Sequence, residues 1–299
     1  MDGILPLWKP KGFTSHDCVS KARGMLRTKK IGHTGTLDPD VEGVLPLCVG
    51  KATKIVPFLT DTVKVYEAVV TMGFSTETED ASGAEVEKKA VEQNSLLVSD
   101  IKQVLEGFKG TISQIPPMYS AVKVNGRKLY EYAREGKSVE RPERKIFIHN
   151  IELLSSEVHY FAGTASFSIR VTCSKGTYIR TLCTNVGKAL GYPAHMSSLV
   201  RTRTAEISQE ECKTLEEVQS AADDGRAEDL LLPLSRGLPH FPRWEVDTGT
   251  KQQIQNGGVL TKLAEMPDEP FLIVCDKEAL AIYQPHPTKP EKVKPIRVF

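Results

Sequence analysis

The 299-residue chain lacks any long hydrophobic run, and its N-terminus has an acid where a signal peptide needs positive charge. No apolar stretch approaches the roughly 20 residues that a membrane-spanning helix requires. We therefore expect a cytoplasmic protein that does not contact a membrane. The proportions of hydrophobic residues, 40%, and charged residues, 26%, are typical of a globular protein large enough for one large domain and a small one.

The chain also lacks any Cys-x-x-Cys pair and any histidines at metal-ligand spacing. Without such spacing, the sequence gives no indication of a zinc site or of a disulfide framework. We expect the cysteines to be reduced thiols that serve mainly as small core residues. There are six of them, Cys18, Cys48, Cys173, Cys183, Cys212 and Cys275.

Net charge is almost absent, at +1, which by itself argues against a protein that binds nucleic acid. The charges are unevenly distributed, however. Residues 206–299 carry 11 basic and 17 acidic residues, a net charge of −6, and residues 1–205 carry a net charge of +7. An uneven distribution of this kind suits a polyanion bound on one side, although a surplus of this size also arises by chance.

The most informative segment, residues 32–47, presents a single carboxylate, Asp38, immediately before Pro39. Proline favours an extended backbone at the residue before it, and the glycines of this segment permit turns that other residues resist. Asp-Pro is also common in ordinary turns. The hydrogen-bond donors beside the carboxylate, among them His33, favour a functional interpretation, with Asp38 as the candidate reactive group.

Two other chemistries for this segment fit poorly. The residues after Asp38 resemble the start of a calcium-binding loop, but Pro39 interrupts it and Val49 stands where a bidentate glutamate is needed. Residues 43–53 are similar to a phosphate-binding loop, but six residues rather than four separate the glycines, and Ala52 replaces the metal-binding hydroxyl. The sequence therefore argues against a calcium site and a nucleotide triphosphate site.

Apolar periodicity predicts both helices and strands, which indicates an α+β fold. Ser15 and Ser99 are candidate helix caps, and Thr214 forms a capping box with Glu217. The remaining elements that we predict are strands over 64–72 and 166–173, a helix over 178–190 that Gly191 ends, and a hairpin of residues 271–275 and 279–283. A proline-rich passage over 233–242 suggests a boundary between domains 1–237 and 238–299.

Residues 114–145 have the composition of a surface arm, because tyrosines alternate with basic residues. Cations for phosphates and aromatic rings for bases are the two components of RNA binding, and stacking contributes roughly 1–3 kcal/mol per base. A solvated helix is an equally good interpretation of the composition. The residues concerned are Tyr119, Tyr130, Tyr132, Lys123, Arg127, Lys128, Arg134, Lys137, Arg141, Arg144 and Lys145.

Six segments, in this order, closely resemble motifs of the bacterial TruB family of tRNA pseudouridine synthases. They are residues 9–17 (KPKGFTSHD), 32–39 (GHTGTLDP), 64–68 (KVYEA), 114–134, 173–182 (CSKGTYIRTL) and 199–203 (LVRTR). The resemblance implies isomerisation of the uridine in the TΨC loop of tRNA. It also implies a mixed, largely antiparallel sheet in the catalytic domain, with residues 114–145 as an RNA-clamping insertion and a small β-rich, PUA-like module at the C-terminus.

The resemblance also assigns roles to individual residues. It makes Asp38 the essential carboxylate, either as a nucleophile or as the base that removes a ribose proton, and it places Arg180 as its ion-pair partner, which would lower the pKa of the acid. Tyr66 matches a tyrosine that lies against the target base. The substrate-binding positions that it implies are His33, Tyr178, Leu199, Lys9, Arg201, Arg203, Tyr119, Lys123, Arg127 and Lys128. We expect tRNA as the partner, and neither a cofactor, a metal nor an obligate protein partner.

Two other functions compete with this one. A glycoside hydrolase also breaks a bond to an anomeric carbon, and Asp40 or Glu42 would then be the second carboxylate, but a basic, tyrosine-rich arm has no purpose in such an enzyme. A tRNA-binding chaperone without chemistry would explain the arm but not the loop around Asp38. The C-terminal module is acidic overall, so its contact with RNA would depend on a local patch formed by Lys289, Lys292, Lys294 and Arg297.

Overall fold

A computed structural model describes residues 1–299 and contains both helices and strands, as expected for the α+β class. The strands, in chain order, are β1 (Gly3–Lys9), β2 (Ile31–His33), β3 (Glu42–Val49), β4 (Lys64–Met72), β5 (Phe74–Thr76), β6 (Glu85–Lys88), β7 (Gly110–Gln114), β8 (Lys123–Val124), β9 (Arg127–Lys128), β10 (Arg144–Leu153), β11 (His159–Phe161), β12 (Thr164–Cys173), β13 (Ala194–Thr204), β14 (Ile207–Ser208), β15 (Arg243–Glu245), β16 (Leu260–Thr261), β17 (Phe271–Cys275), β18 (Glu278–Pro285) and β19 (Lys292–Val298).

The α-helices are short, and none is long and apolar enough to cross a bilayer. They are α1 (Ser15–Met25), α2 (Val56–Thr60), α3 (Val98–Glu106), α4 (Leu129–Arg134), α5 (Ile179–Ala189), α6 (Leu215–Asp223) and α7 (Thr248–Gln255). Short 3-10 helices occupy Gly50–Ile55, Gln209–Glu211, Ala227–Leu230 and Leu234–Gly237. The chain forms two compact units, one of residues 1–62 and 203–299 and the other of residues 63–202.

The unit of residues 63–202 is built on an antiparallel sheet whose order is β13-β4-β12-β10-β7. Strands β4 and β12 pair over nine residues, from Ala165 opposite Met72 to Cys173 opposite Lys64. Alternate residues of β12 are buried, as the period of a strand with one buried face requires. Helix α5 packs on β4 and α3 on β10, so the apolar stripe of each helix covers the sheet.

The other unit begins with strands β1 and β3, which pair antiparallel from Gly3 opposite Val49 to Lys9 opposite Gly43. Strand β2 also pairs with β3, at the end of β3 that precedes the 3-10 turn. Helices α1 and α6 contribute Cys18, Val19 and Val218 to a core shared with these strands. The segment that contains Asp38 thus connects two strands of one well-packed sheet.

The C-terminal residues form a second sheet in this unit, of order β15-β17-β18-β19-β16. Strand β15 runs parallel to β17, and the other neighbours are antiparallel. One face of the sheet has a core of its own around Phe271 and Tyr283. The other face packs Leu272, Val274 and Ile282 against residues of the first sixty, such as Ile4 and Ile55.

Most elements predicted from the sequence are confirmed, including both long strands, the helix before Gly191 and the C-terminal hairpin. Both serine caps are wrong. Thr14 caps α1, because its hydroxyl accepts from the amide of Asp17 and the Asp17 carboxylate accepts from the amide of Thr14. Helix α3 begins at Val98 without a side-chain cap. The domain boundary after residue 237 stays a prediction.

Candidate active site

The loop around Asp38 is fixed from both sides. Thr34 is buried, and its hydroxyl donates to the carbonyl of Pro46 at 3.2 Å. The amide of Leu37, also buried, donates to the Ser15 hydroxyl at 2.9 Å. Gly35 has φ +150°, a conformation that favours glycine. Asp38 itself is only half-buried, so the loop holds its backbone rigidly while leaving the carboxylate partly accessible.

The buried side chain of Lys9 holds the same loop through its backbone carbonyls. Its side chain is fully buried, and its ammonium donates to the carbonyls of Pro39 at 3.1 Å and Val41 at 2.6 Å, and also to that of Pro10 at 2.9 Å. A buried ammonium requires such partners, because leaving it without them is very costly. The expectation that Lys9 binds the substrate is corrected here, since a fully buried side chain offers no surface to RNA. Lys9 positions the backbone on the C-terminal side of Asp38.

Arg180 occupies the first turn of α5 with only 6% of its side chain exposed. Its guanidinium donates to the carbonyls of Thr78 at 3.0 Å and Tyr119 at 2.9 Å, and lies 3.8 Å from the carboxylate of Asp80. Several partners at once fix the plane of a guanidinium, whose donors form a rigid fork. Arg180 is therefore held in one orientation by the turn before β6 and by the start of the arm.

Asp80 is the acid of this turn, and it was not identified from the sequence. Burial acts to raise its pKa, but hydrogen bonds from Ser82 and Thr78, together with Arg180, outweigh burial, so the pKa lies below its usual value. The side chain is thus ionised at neutral pH. The spacing Thr-x-Asp-x-Ser, in which both hydroxyls lie two residues from the carboxylate, is the signal in the sequence that would have indicated such a turn.

Glu79, the residue before Asp80, has a left-handed backbone at φ +63° and a half-buried side chain. Its carboxylate accepts a hydrogen bond from the Thr181 hydroxyl, and its carbonyl accepts one from the amide of Met196. Burial raises the pKa of Glu79, against the opposing effects of the Thr181 hydrogen bond and of Arg180. Nothing in the sequence distinguished this acid from an exposed one, because it lies within a polar, acidic segment.

The predicted pocket residues of this unit lie on neighbouring elements. Tyr66 is half-buried on β4, opposite Val171 of β12, and Leu199 is buried on the adjacent strand β13. Tyr178 immediately precedes α5, and both its amide and its carbonyl are hydrogen-bonded to the buried side chain of Gln114 at 2.8 and 2.9 Å. The backbone at Tyr178 is therefore set by the first residue of the arm. His33 lies in the other unit, at the end of β2.

Arg201 and Arg203 lie two positions apart on β13 but in different environments. Arg201 is only 1% exposed, whereas Arg203 is exposed beside the short strand β14. The expectation that Arg201 binds the substrate is corrected for the same reason as for Lys9, because a buried guanidinium has no surface for an RNA phosphate. Arg203 is placed where such a contact is possible.

The arm contains the hairpin β8–β9 followed by α4, and its base is closed by a hydrogen bond from Arg141 to the carbonyl of Pro116 at 3.1 Å. Lys123 and Arg127 are exposed, and Lys128 and Tyr119 are half-buried. The arm's tyrosines are covered in part by its own cations. The pairs are Arg127 over Tyr132, and Lys128 and Arg134 over Tyr130, at 4.7 to 5.3 Å from the ring centroids.

The chain has no group of three or more His, Cys, Asp or Glu side chains that could hold a metal ion. Its distinctive chemical groups are of three kinds. One is a carboxylate on a fixed loop, the second is a buried guanidinium held by backbone carbonyls and an acid, and the third is a pair of tyrosines, Tyr66 on β4 and Tyr178 directly before α5. A carboxylate, a guanidinium and aromatic rings can bind a planar base and exchange protons or a covalent bond with a sugar or a base.

Comparison with protein families gives two adjacent matches. Residues 23–179 match the model of the TruB family pseudouridylate synthase N-terminal domain, and residues 180–238 match that of the tRNA pseudouridylate synthase B C-terminal domain. The chain is similar over its whole length to proteins named tRNA pseudouridine synthase B. Identity is 54% to that of Oceanobacillus iheyensis and 50% to that of Bacillus subtilis, with 98% of each relative covered.

Solved structures show the same architecture. A crystal structure of a Cbf5-Nop10-Gar1 complex contains a chain with a TM-score of 0.74 and 28% identity, over 99% of this chain and 83% of that one. A structure of an H/ACA RNP bound to a substrate RNA containing 2′-deoxyuridine gives a TM-score of 0.73 and 26% identity, over 99% and 84%.

Proposed function

The chain belongs to the TruB family of pseudouridylate synthases, and from this premise we propose that its substrate is the uridine in the TΨC loop of tRNA. In the isomerisation the bond between C1′ of the ribose and N1 of uracil breaks, and a bond between C1′ and C5 forms. C5 loses its proton and N1 gains one, so the reaction needs neither an oxidant nor a second substrate. The full-length similarity to proteins named for tRNA supports this choice of substrate.

Asp38 is the catalytic carboxylate of this proposal. The observation that carries it is the fixed loop, in which Thr34, Leu37 and the Lys9 ammonium restrain the backbone around a half-buried acid. A restrained backbone lets a side chain act without a large entropic cost at the moment of reaction. Whether Asp38 attacks the sugar or the base, or removes a ribose proton, each step requires an ionised carboxylate.

Arg180 is the proposed ion-pair partner of Asp38. Its orientation by two carbonyls and Asp80 supports this role, since a guanidinium held in place can stabilise a carboxylate without reorganising. Tyr66 is the proposed aromatic contact for the target base and is proposed to assist proton removal from C5. Tyr178 and Leu199 complete the proposed uracil pocket, and the base enters it by leaving the stack of the T-loop.

Extruding the base costs a few kcal/mol, and His33 is proposed to fill the space that it leaves. The arm of residues 114–145 is proposed to bind the RNA backbone through Lys123, Arg127 and Lys128, with Tyr119 at its start, and Arg203 is proposed as a further RNA contact. The exposed position of Lys123, Arg127 and Arg203 supports these contacts. The five-stranded sheet after residue 237 is proposed as a PUA-like module that contacts the acceptor end of the tRNA in the cytoplasm.

The test is to incubate the protein, without any added cofactor, with an unmodified tRNA transcript and to map pseudouridine chemically. We expect one modified position, in the T-loop, on the full transcript and on an isolated T-arm stem-loop. A transcript in which that uridine is replaced by cytidine is the matched control and should stay unmodified. Tight binding of the transcript without any pseudouridine would instead support the chaperone that the sequence left as an alternative.

A further inference from the structure

Arg127, on strand β9 of the arm, forms ion pairs with acids of the arm itself. Its two terminal nitrogens face the two carboxylate oxygens of Glu135, Nη2 in close contact with Oε1 and Nη1 at 3.4 Å from Oε2. The guanidinium also lies 4.7 Å from the centroid of the Tyr132 ring. Lys137 contacts the same Glu135 carboxylate at 2.8 Å. The arrangement is a bidentate pair of a guanidinium and a carboxylate in an exposed position.

Glu135 lies at a position where an acid does not stabilise the helix of the arm. It follows α4 directly, at the C-terminal end of the helix, where the helix dipole disfavours a negative charge. The other nearby acid, Glu131, lies 4.0 Å from Nε of Arg127, but its carboxylate also accepts from the amide of Lys128 at the start of α4 and does not face the two terminal nitrogens of Arg127. The Glu135 carboxylate therefore has no capping role in α4, and its partners are the cations Arg127 and Lys137.

A guanidinium accepts a carboxylate and a phosphate with the same two-point geometry. We propose that Glu135 is a built-in competitor for RNA phosphate at Arg127, and that a backbone phosphate of the T-arm displaces its carboxylate when the arm closes on the RNA. This inference rests on the proposed function, since it requires the arm to contact tRNA. It adds that Arg127 is not free to bind an arbitrary polyanion.

The Glu135 carboxylate and an RNA phosphate differ in how strongly they bind Arg127, so the phosphate can replace the carboxylate. An exposed ion pair contributes little to stability, so the Glu135 carboxylate can be displaced. A phosphate that replaces it also releases condensed counterions from the RNA, which favours binding at low salt. Hydrogen bonds from Arg127 and Lys137 lower the pKa of Glu135 to about 2, so the competing charge is present throughout the neutral range.

The experiment measures the Kd of an unmodified T-arm stem-loop for the full chain and its variants at about 0.1 M salt. We expect Glu135→Gln to tighten binding about three- to tenfold with little change in the slope of the salt dependence, because Arg127 contacts the same phosphate in both proteins. Arg127→Gln should weaken binding by a similar factor. In the Arg127→Gln background, Glu135→Gln should change Kd less than twofold, because the Arg127 guanidinium with which Glu135 competes for phosphate is then absent.

Glu140→Gln is the matched control, because Glu140 is an exposed acid of the same arm and its loss changes the net charge equally. It should alter Kd less than twofold. If it tightens binding as much as Glu135→Gln, or if the Glu135→Gln gain persists without Arg127, the effect is general charge repulsion and the inference is wrong.

The failure of the inference can be told apart from the failure of the proposed function. If Arg127→Gln leaves Kd unchanged, Arg127 does not contact RNA and the inference is overturned. Pseudouridine formation by the unmodified chain, measured on the same stem-loop, reports separately on the proposed activity. All the substituted side chains are exposed, and a thermal unfolding midpoint for each variant checks that the fold is intact.

Discussion

Asp38 is held by its neighbours rather than by its own burial, because Thr34, Leu37 and Val41 are buried on either side of it. Asp38→Asn keeps the size of the side chain and removes its charge. We expect this variant to lose pseudouridine formation entirely on a T-arm stem-loop, while Kd for the RNA stays within about tenfold, on the order of 1.4 kcal/mol. Single-turnover assays and binding measurements on the same preparation separate the two effects.

The loop itself supplies the control for this prediction. Asp40 lies two residues further along and is exposed, so Asp40→Asn makes the same chemical change without touching the proposed catalytic group. It should retain nearly full activity. Full activity in the Asp38 variant would remove the carboxylate from the mechanism, whatever its position in the loop.

Glu79 gives a prediction about pH. Because burial raises the pKa of this acid in the folded state above its ordinary value of about 4.5, the folded protein binds the proton more tightly than the unfolded chain does. Stability from this group is therefore fully present below about pH 4.5 and is lost as pH rises through the folded pKa. We expect Glu79→Gln to gain stability relative to the natural chain as pH increases from 4 to 8, as measured by denaturant unfolding.

A second variant at this position tests its contacts. The amide oxygen of Gln can still accept the hydrogen bond from Thr181, whereas Glu79→Ala leaves that hydroxyl without its partner and costs about 1–3 kcal/mol. If the turn orients Arg180, the alanine variant should lower kcat more than it raises KM, and glutamine should restore kcat. Equal stability of the two variants would contradict a contribution from the hydrogen bond to Thr181.

At the scale of elements, the buried contacts of Lys9 connect β1 to the loop after Asp38. Lys9→Met preserves the length of the side chain and removes three donors to backbone carbonyls. We expect a loss of about 1–3 kcal/mol in the free energy of unfolding and a lower kcat, with RNA affinity within about threefold. Lys11→Met is the control, because its side chain is 58% exposed, and it should leave both unfolding and kcat unchanged.

The elements that could be predicted from the sequence are those whose apolar period is long and regular. Burial alternates along all ten residues of β12 and from Glu67 to Met72 in β4, and α5 has a continuous apolar stripe that ends before Gly191. The capped start of α6 was also correct, since Thr214 and Glu217 form the reciprocal hydrogen bonds of a capping box. Local rules decide such elements, and no distant partner is needed to recognise them.

The parts that could not be predicted depend on contacts between distant residues. Ser15 has the sequence of a helix cap, but its hydroxyl bonds to Leu37, twenty-two residues away. Lys9 and Arg201 look like surface cations, and only the folded chain shows that both are buried. The loop around Asp38 was recognisable from its glycines and proline, whereas the support beneath it and the turn of Asp80 around Arg180 were not.

At the scale of the whole molecule, the proline-rich passage predicts a boundary after residue 237, and the packing adds a core that residues on both sides of it share. Leu272 on β17 is fully buried in a core that includes Ile4 and Ile55. The C-terminal sheet therefore shares apolar residues with the strands that carry the Asp38 loop. We infer that residues 1–62 and 203–299 unfold together, as a cooperative unit rather than as two modules.

Leu272→Ala tests this cooperativity. Removing a fully buried leucine side chain costs about 2–5 kcal/mol, and in a unit of this size we expect the main calorimetric transition to move down by roughly 5–15 °C without splitting. Leu263→Ala, at a position that is 49% exposed, should move it by less than about 2 °C. An independent module would instead produce a separate, earlier transition in the Leu272 variant while the main transition stayed in place, because the strands around Asp38 would then not depend on Leu272.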